Sequence, residues 1–170
     1  EYLVEALESL YSQSYKKFDI YIQVDGYIDN EIELYLDKEF INKRVFFLNK
    51  RQVNLGLAFS LNELLKIVLK KGYEYIARMD ADDICNNLRI ENQLSFMNEN
   101  KMCDVVGSDI IEFYDDGTQR LKTYQRQHRK IRLNFATKTA IPHVSAFFRI
   151  SFFDKAGLYN INSNRNEDQW

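Results

Sequence analysis

The chain has 170 residues, 45% hydrophobic and 14% aromatic, with 23 basic residues against 25 acidic ones and a formal charge of −2. That size and apolar content fit a domain with a real core rather than a disordered segment, and the balanced charge gives no field that would favour nucleic acid. No apolar run approaches the about 18 residues of a bilayer-spanning helix, no signal peptide is expected from the opening residues, and two cysteines, Cys85 and Cys103, are too few for a disulfide framework, so a reducing compartment is the default.

Leu3, Leu7 and Leu10 recur at helical spacing, so residues 1–13 read as an amphipathic helix. From Phe18 to Val24 the pattern alternates as in a strand, and Asp25-Gly26-Tyr27-Ile28-Asp29-Asn30 is a turn signal. A helix over about 29–40 and a short strand over 45–48 follow. Leu57, Leu61, Leu64, Leu65 and Val68 form a helical stripe that Gly72 can stop. A strand over 73–79 then runs into Asp80-Ala81-Asp82-Asp83. The next helix, near 88–100, carries Ile90, Leu94 and Met97 on one face, with Asn86 or Asn87 as its cap. Residues 105–114 read as a strand, Asp115-Asp116-Gly117 as a hairpin turn and 120–124 as its return. Strands alternating with helices predict an α/β domain with a largely parallel sheet and an antiparallel hairpin. Ligands of such sheets sit beyond the carboxyl ends of the strands, where Asp25 and Asp80 are expected.

Three carboxylates within four positions repel one another unless a cation lies among them. Asp80 and Asp82, two residues apart in an extended segment, leave the same face and offer hard oxygen ligands to Mg²⁺ or Mn²⁺, whose shell water and phosphate oxygens complete. An EF-hand-like calcium loop is excluded, because Cys85 stands where the sharp turn needs glycine and Ile84 where a ligand oxygen is needed. The basic run 126–132 reads as a solvated helix face, with an anionic substrate or membrane surface as the alternative.

Taken together, five segments in order resemble a family 2 glycosyltransferase of the GT-A fold. They are Glu5-Ala6-Leu7-Glu8-Ser9-Leu10 with Gln13-Ser14-Tyr15 and Asp25-Gly26; Asn54-Leu55-Gly56-Leu57-Ala58 with Asn62; Asp80-Ala81-Asp82-Asp83, similar to the DxD motif; Pro142-His143-Val144-Ser145 leading to Phe147, Phe148 and Arg149; and Glu167-Asp168, similar to the ED motif. The resemblance implies a Rossmann-like GT-A fold with a mostly parallel central sheet flanked by helices, as one glycosyltransferase domain over 1–170. It implies that the family's first strand precedes Glu1 and that an acceptor region follows Trp170, so that the chain is part of a longer protein.

The implied activity is inverting transfer of a sugar from a nucleotide-activated donor, most often a UDP-sugar, to an acceptor hydroxyl in surface polysaccharide or glycolipid synthesis. By resemblance, Asp25 contacts the base, Asn54 and Gly56 shape the nucleotide pocket, and Asp80 lies toward the ribose. Asp82, with Asp80, holds Mn²⁺ or Mg²⁺, and Asp168 is the general base with Glu167 beside it. A saccharide or lipid-linked acceptor, no nucleic acid, and a cytoplasmic location with peripheral association at the inner face of the membrane are the corresponding expectations. The chemistry asks for that division of labour: the leaving diphosphate needs its charge neutralised, and the attacking hydroxyl needs a base on the opposite face of the sugar. Val24 before Asp25 and Tyr27-Ile28 after Gly26 depart from the family pattern. A sugar nucleotidyltransferase and an inactive glycosyltransferase-like binding domain are the alternative readings.

Overall fold

A computed structural model of the chain describes residues 2–134 and 140–162. It divides into two compact units: Tyr15–Tyr73 with the segment from Gly157, and Glu74–Ala156 with the N-terminal residues up to Ser14.

In the first of these, Tyr21–Asp25 (β1) and Phe47–Arg51 (β2) pair in parallel, with Asp25 opposite Arg51 at their carboxyl ends. Parallel strands need a crossover, which is Asn30–Ile41 (α2). Lys50 of β2 holds that helix by donating to Glu33 and Asp37, both at 2.8 Å. Leu57–Val68 (α3) packs on β1, and its apolar stripe buries Ala58, Leu65 and Val68. Asn62, on the same helix, donates to the Tyr159 carbonyl and accepts from its N–H, both at 2.8 Å, so its amide is spent on the fold. Gly72, with φ of 79°, ends the turn after α3 as its position predicts.

The other unit contains the helix Tyr2–Tyr11 (α1) and a sheet of Tyr75–Ala77 (β3), Phe147–Arg149 (β7) and Val105–Val106 (β4), in the order β3-β7-β4. β7 runs antiparallel to both neighbours, so β3 and β4 are parallel to each other. Phe147 and Phe148 of β7 are buried, and Phe148 packs against Phe152 and Phe153 of the helix Ser151–Ala156 (α6). Arg149 donates to the Tyr75 hydroxyl of β3 and to the Met97 and Cys103 carbonyls, which ties two further segments to the sheet.

The expected strand over 105–114 is interrupted: β4 stops at Val106, and Ile110–Phe113 (β5) starts a separate hairpin with Gln119–Lys122 (β6). At the break the chain passes close to another segment. Gly107 lies against the turn that precedes β7, where a Cβ would stand 2.5 Å from a methyl carbon of Ile141. The basic run forms the exposed helix His128–Asn134 (α5). The helix Arg89–Glu99 (α4) buries Ile90, Gln93 and Met97 and leaves Leu94 half-buried. Its first N–H groups are not capped by Asn86 or Asn87 in the expected manner. Leu88 holds the cap position without a side-chain bond; Asn86 Oδ1 accepts from Leu88 N, and Gln13 Oε1, reaching across from the segment after α1, accepts from Ile90 N.

Candidate functional site

The acidic loop leaves β3 through Arg78, whose N–H donates to the Ala146 carbonyl at 2.8 Å and extends the pairing with β7. Arg78 is 8% exposed. Its guanidinium turns back onto the loop, donating to the Met79 carbonyl and to one oxygen of Asp80; its Nε is buried with no partner in the described residues. Asp82 is exposed and takes no hydrogen bond or ion pair among the described residues. Asp83 turns inward: Oδ2 is buried without a partner, and burial, with the charges of Asp80 and Asp82, pushes its carboxyl above the usual range.

The three acids therefore differ in state, as neighbouring carboxylates in different environments do. One is neutralised by arginine, one is open to solvent, and one is half-buried and shifted toward its protonated form. Among the described residues no group of three or more His, Cys, Asp or Glu is gathered to hold a metal. A loop offering one free carboxylate and the second oxygen of another fits Mg²⁺ or Mn²⁺, which take one or two protein carboxylates and complete the shell with water and substrate phosphates.

Asp25 sits at the other predicted position. Its Oδ1 accepts from Arg51 Nη2 at 2.5 Å and from Leu55 N at 2.8 Å, and its Oδ2 accepts from Gly56 N at 2.8 Å. Burial alone would raise its pKa; the Arg51 guanidinium and the Leu55 amide outweigh burial and hold the carboxyl below the usual carboxylate range. Asn54 closes the same cluster, donating to the Asp25 carbonyl and accepting from Gly56 N, both at 3.1 Å. Gly26 is required there, because its φ is 108° and a Cβ would come within 3.2 Å of Asn54 Cβ. Gly56, with φ of 91°, opens α3, so the Asp25 carboxylate lies at a helix N-terminus, where negative charge is favoured.

Asp25, Asn54 and Gly56 are thus brought together in one unit, and Asp80 and Asp82 in the other. Glu167 and Asp168 lie outside the described residues. Sequence reading missed Arg51, which also pairs with Glu63, donates to Ser60 Oγ at 2.7 Å and stacks over Phe59 at 5.0 Å. Only the strand register reveals it as the partner of Asp25. It also missed Arg89 and Gln93, whose spacing of four on the helix after the acids was a legible signal. His143 is 6% exposed, and burial, then the charge of Arg78, pushes its imidazole down to about 4, so it is neutral near pH 7.

A family model for glycosyl transferase family 2 matches residues 1–157, and the chain belongs to that family. It is 30% identical over 159 residues to the amylovoran biosynthesis glycosyltransferase AmsE of Erwinia amylovora, covering 94% of this chain and 58% of that protein. S. aureus TarS, solved in complex with UDP, superposes with a TM-score of 0.72 at 18% identity, covering 99% of this chain and 49% of that one. The mannosyltransferase PcManGT of Pyrobaculum calidifontis, solved with GDP-Man and Mn²⁺, superposes with a TM-score of 0.69 at 13% identity over 98% of this chain and 46% of that one. The fold is GT-A, and the chain spans about half the length of these proteins.

Proposed function

We propose that the protein transfers a sugar with inversion from a nucleotide-sugar donor, a UDP-sugar, to an acceptor hydroxyl in the synthesis of a surface polysaccharide or glycolipid. The observation that carries this reading is the acidic loop that follows β3. Asp82 is left unpaired at its crest while Arg78 offsets the charge of Asp80. Family membership and the polysaccharide role in the name of AmsE support the reaction class, and the UDP and GDP-Man complexes of the two solved relatives support a nucleotide-bearing donor.

Asp82, with the open oxygen of Asp80, would hold Mn²⁺ or Mg²⁺, which when bound supplies neutralisation of the leaving diphosphate. The segment 54–56, ordered by Asp25, shapes the nucleotide side. Asp168, with Glu167 beside it, takes the proton of the acceptor hydroxyl as that oxygen attacks the anomeric carbon and the bond to the diphosphate breaks. The acceptor is a saccharide or lipid-linked saccharide. The exposed basic helix α5 is the surface for peripheral contact at the inner face of the membrane; no described helix is long and apolar enough to cross it.

Calorimetry on the full-length protein with UDP, GDP and CDP, each with and without Mn²⁺, tests the reading. Manganese-dependent binding of UDP is expected. Binding of none of the three in a manganese-dependent way rules the reading out.

A further inference from the structure

From Met79 to Ile84 the acidic loop makes a single backbone hydrogen bond among the described residues, from Asp83 N to the Asp80 carbonyl at 3.5 Å. Backbone geometry therefore does not set the spacing of its carboxylates. Side chains at its two ends do.

Arg89, the first residue of α4, is the main one. Its Nη2 donates to the Arg78 carbonyl at 2.7 Å, just before the loop, and its Nη1 contacts Cys85 Sγ at 3.3 Å, just after it. One planar guanidinium thus spans the entry and the exit. Its Nε donates to Gln93 Oε1 at 3.1 Å, one turn further along the helix. Gln93 is buried, and its Nε2 donates to the Ser145 carbonyl at 2.8 Å, in the turn that carries His143. On the exit side Ser9 Oγ accepts from Cys85 N at 2.9 Å.

We infer that Arg89, oriented by Gln93, is a positioning residue that fixes the separation of Asp80 and Asp82, and thereby the affinity of the loop for a divalent cation. The inference rests on the metal role proposed above for those two acids. Arg89 reaches three acceptors on three different residues from separate nitrogens of its fork, whereas the donors of lysine all radiate from one nitrogen and cannot span them. Arg89→Lys keeps the charge and loses the span, so it separates geometry from simple charge compensation.

The test is Mn²⁺ binding by calorimetry to the full-length wild type, Arg89→Lys and Gln93→Met, well below each protein's unfolding temperature, with donor KM measured at low and saturating Mn²⁺. Outer partners of ligating carboxylates typically tune metal affinity by 10- to 100-fold. Arg89→Lys is expected to weaken Mn²⁺ by roughly tenfold, with the loss in donor KM recovered at saturating Mn²⁺, which a general folding defect would not be. Wild-type Mn²⁺ affinity in folded Arg89→Lys overturns the inference. If Arg89→Lys does not fold, Gln93→Met carries the test: weaker Mn²⁺ binding supports the role, and wild-type affinity overturns it. A wild type that binds no Mn²⁺ removes the metal reading and this role together, whereas a binding wild type with unchanged variants removes this role alone.

Discussion

Asp25 and Arg51 face each other across the carboxyl ends of two parallel strands, and Arg51 Nη2 donates to Asp25 Oδ1 at 2.5 Å. Both side chains are less than one-fifth exposed, and both oxygens of Asp25 are engaged by partners within the same unit. Asp25 thereby orders the segment that leads into α3.

Arg51→Met should therefore destabilise the protein, because it leaves a part-buried carboxylate without its cation. Removing one partner of such a pair costs about 2–4 kcal/mol. Urea denaturation gives the number directly, and a loss below about 0.5 kcal/mol, the level of an ordinary surface change, would show that the pair is not a structural tie.

Asp82→Asn should leave the stability unchanged. Asp82 is exposed and unpaired among the described residues, so the unfolding midpoint is expected to stay within the few tenths of a kcal/mol typical of surface substitutions. Mn²⁺ affinity in calorimetry should fall at least tenfold, because the substitution removes an anionic ligand oxygen. Unchanged Mn²⁺ binding would remove Asp82 as the ligand.

Stability should fall on acidification through His143. Its pKa drops from 6.5 to about 4 on folding, by burial and then by the charge of Arg78. Between those values the unfolded chain binds the proton and the folded one does not, so this contribution is fully present above the unfolded pKa and is lost as pH falls toward the folded one. Wild type should therefore lose about 2 kcal/mol more than His143→Gln between pH 7 and pH 4.5. Equal losses in denaturation at the two pH values would show that His143 is not held neutral.

Gly107→Ala should destabilise by about 1–3 kcal/mol, as overpacking does, since the new methyl would stand 2.5 Å from Ile141 Cγ2 and 3.2 Å from Ser145 Oγ. Thermal unfolding should drop by about 2–4 °C for each kcal/mol in a chain of this size. An unchanged midpoint would mean that the turn at 141–145 gives way freely.

Asp168→Asn in the full-length protein should keep donor binding and lose transfer, by a factor of about 10²–10⁴ for a missing general base. Transfer at the wild-type rate would remove Asp168 from that role.

Most elements were legible because periodicity reports burial directly. The stripe from Leu57 to Val68 gave α3, and the alternation before Asp25 gave β1. The acidic loop stood out in the sequence as a candidate cation site, since three carboxylates within four positions repel one another unless a cation lies among them. What periodicity cannot carry is pairing between distant segments. The insertion of β7 between β3 and β4, the Arg51 partner of Asp25 and the capping of α4 by Gln13 each depend on contacts separated by 26 positions or more in the chain. The break at Gly107 was hidden for the same reason, since the neighbour that demands a glycine comes from residue 141.

Because side chains on other elements hold the ends of the acidic loop, the positions inside it fall into two kinds of mutational tolerance. Ala81 and Ile84 are exposed, Ile84 by 55%, and make no polar contact that the loop depends on. A saturation scan read out by folding should accept most residues there. The intolerant positions should lie outside the acids altogether, at Ser9 in α1, at Gln13 just after it, and at Arg89 and Gln93 in α4.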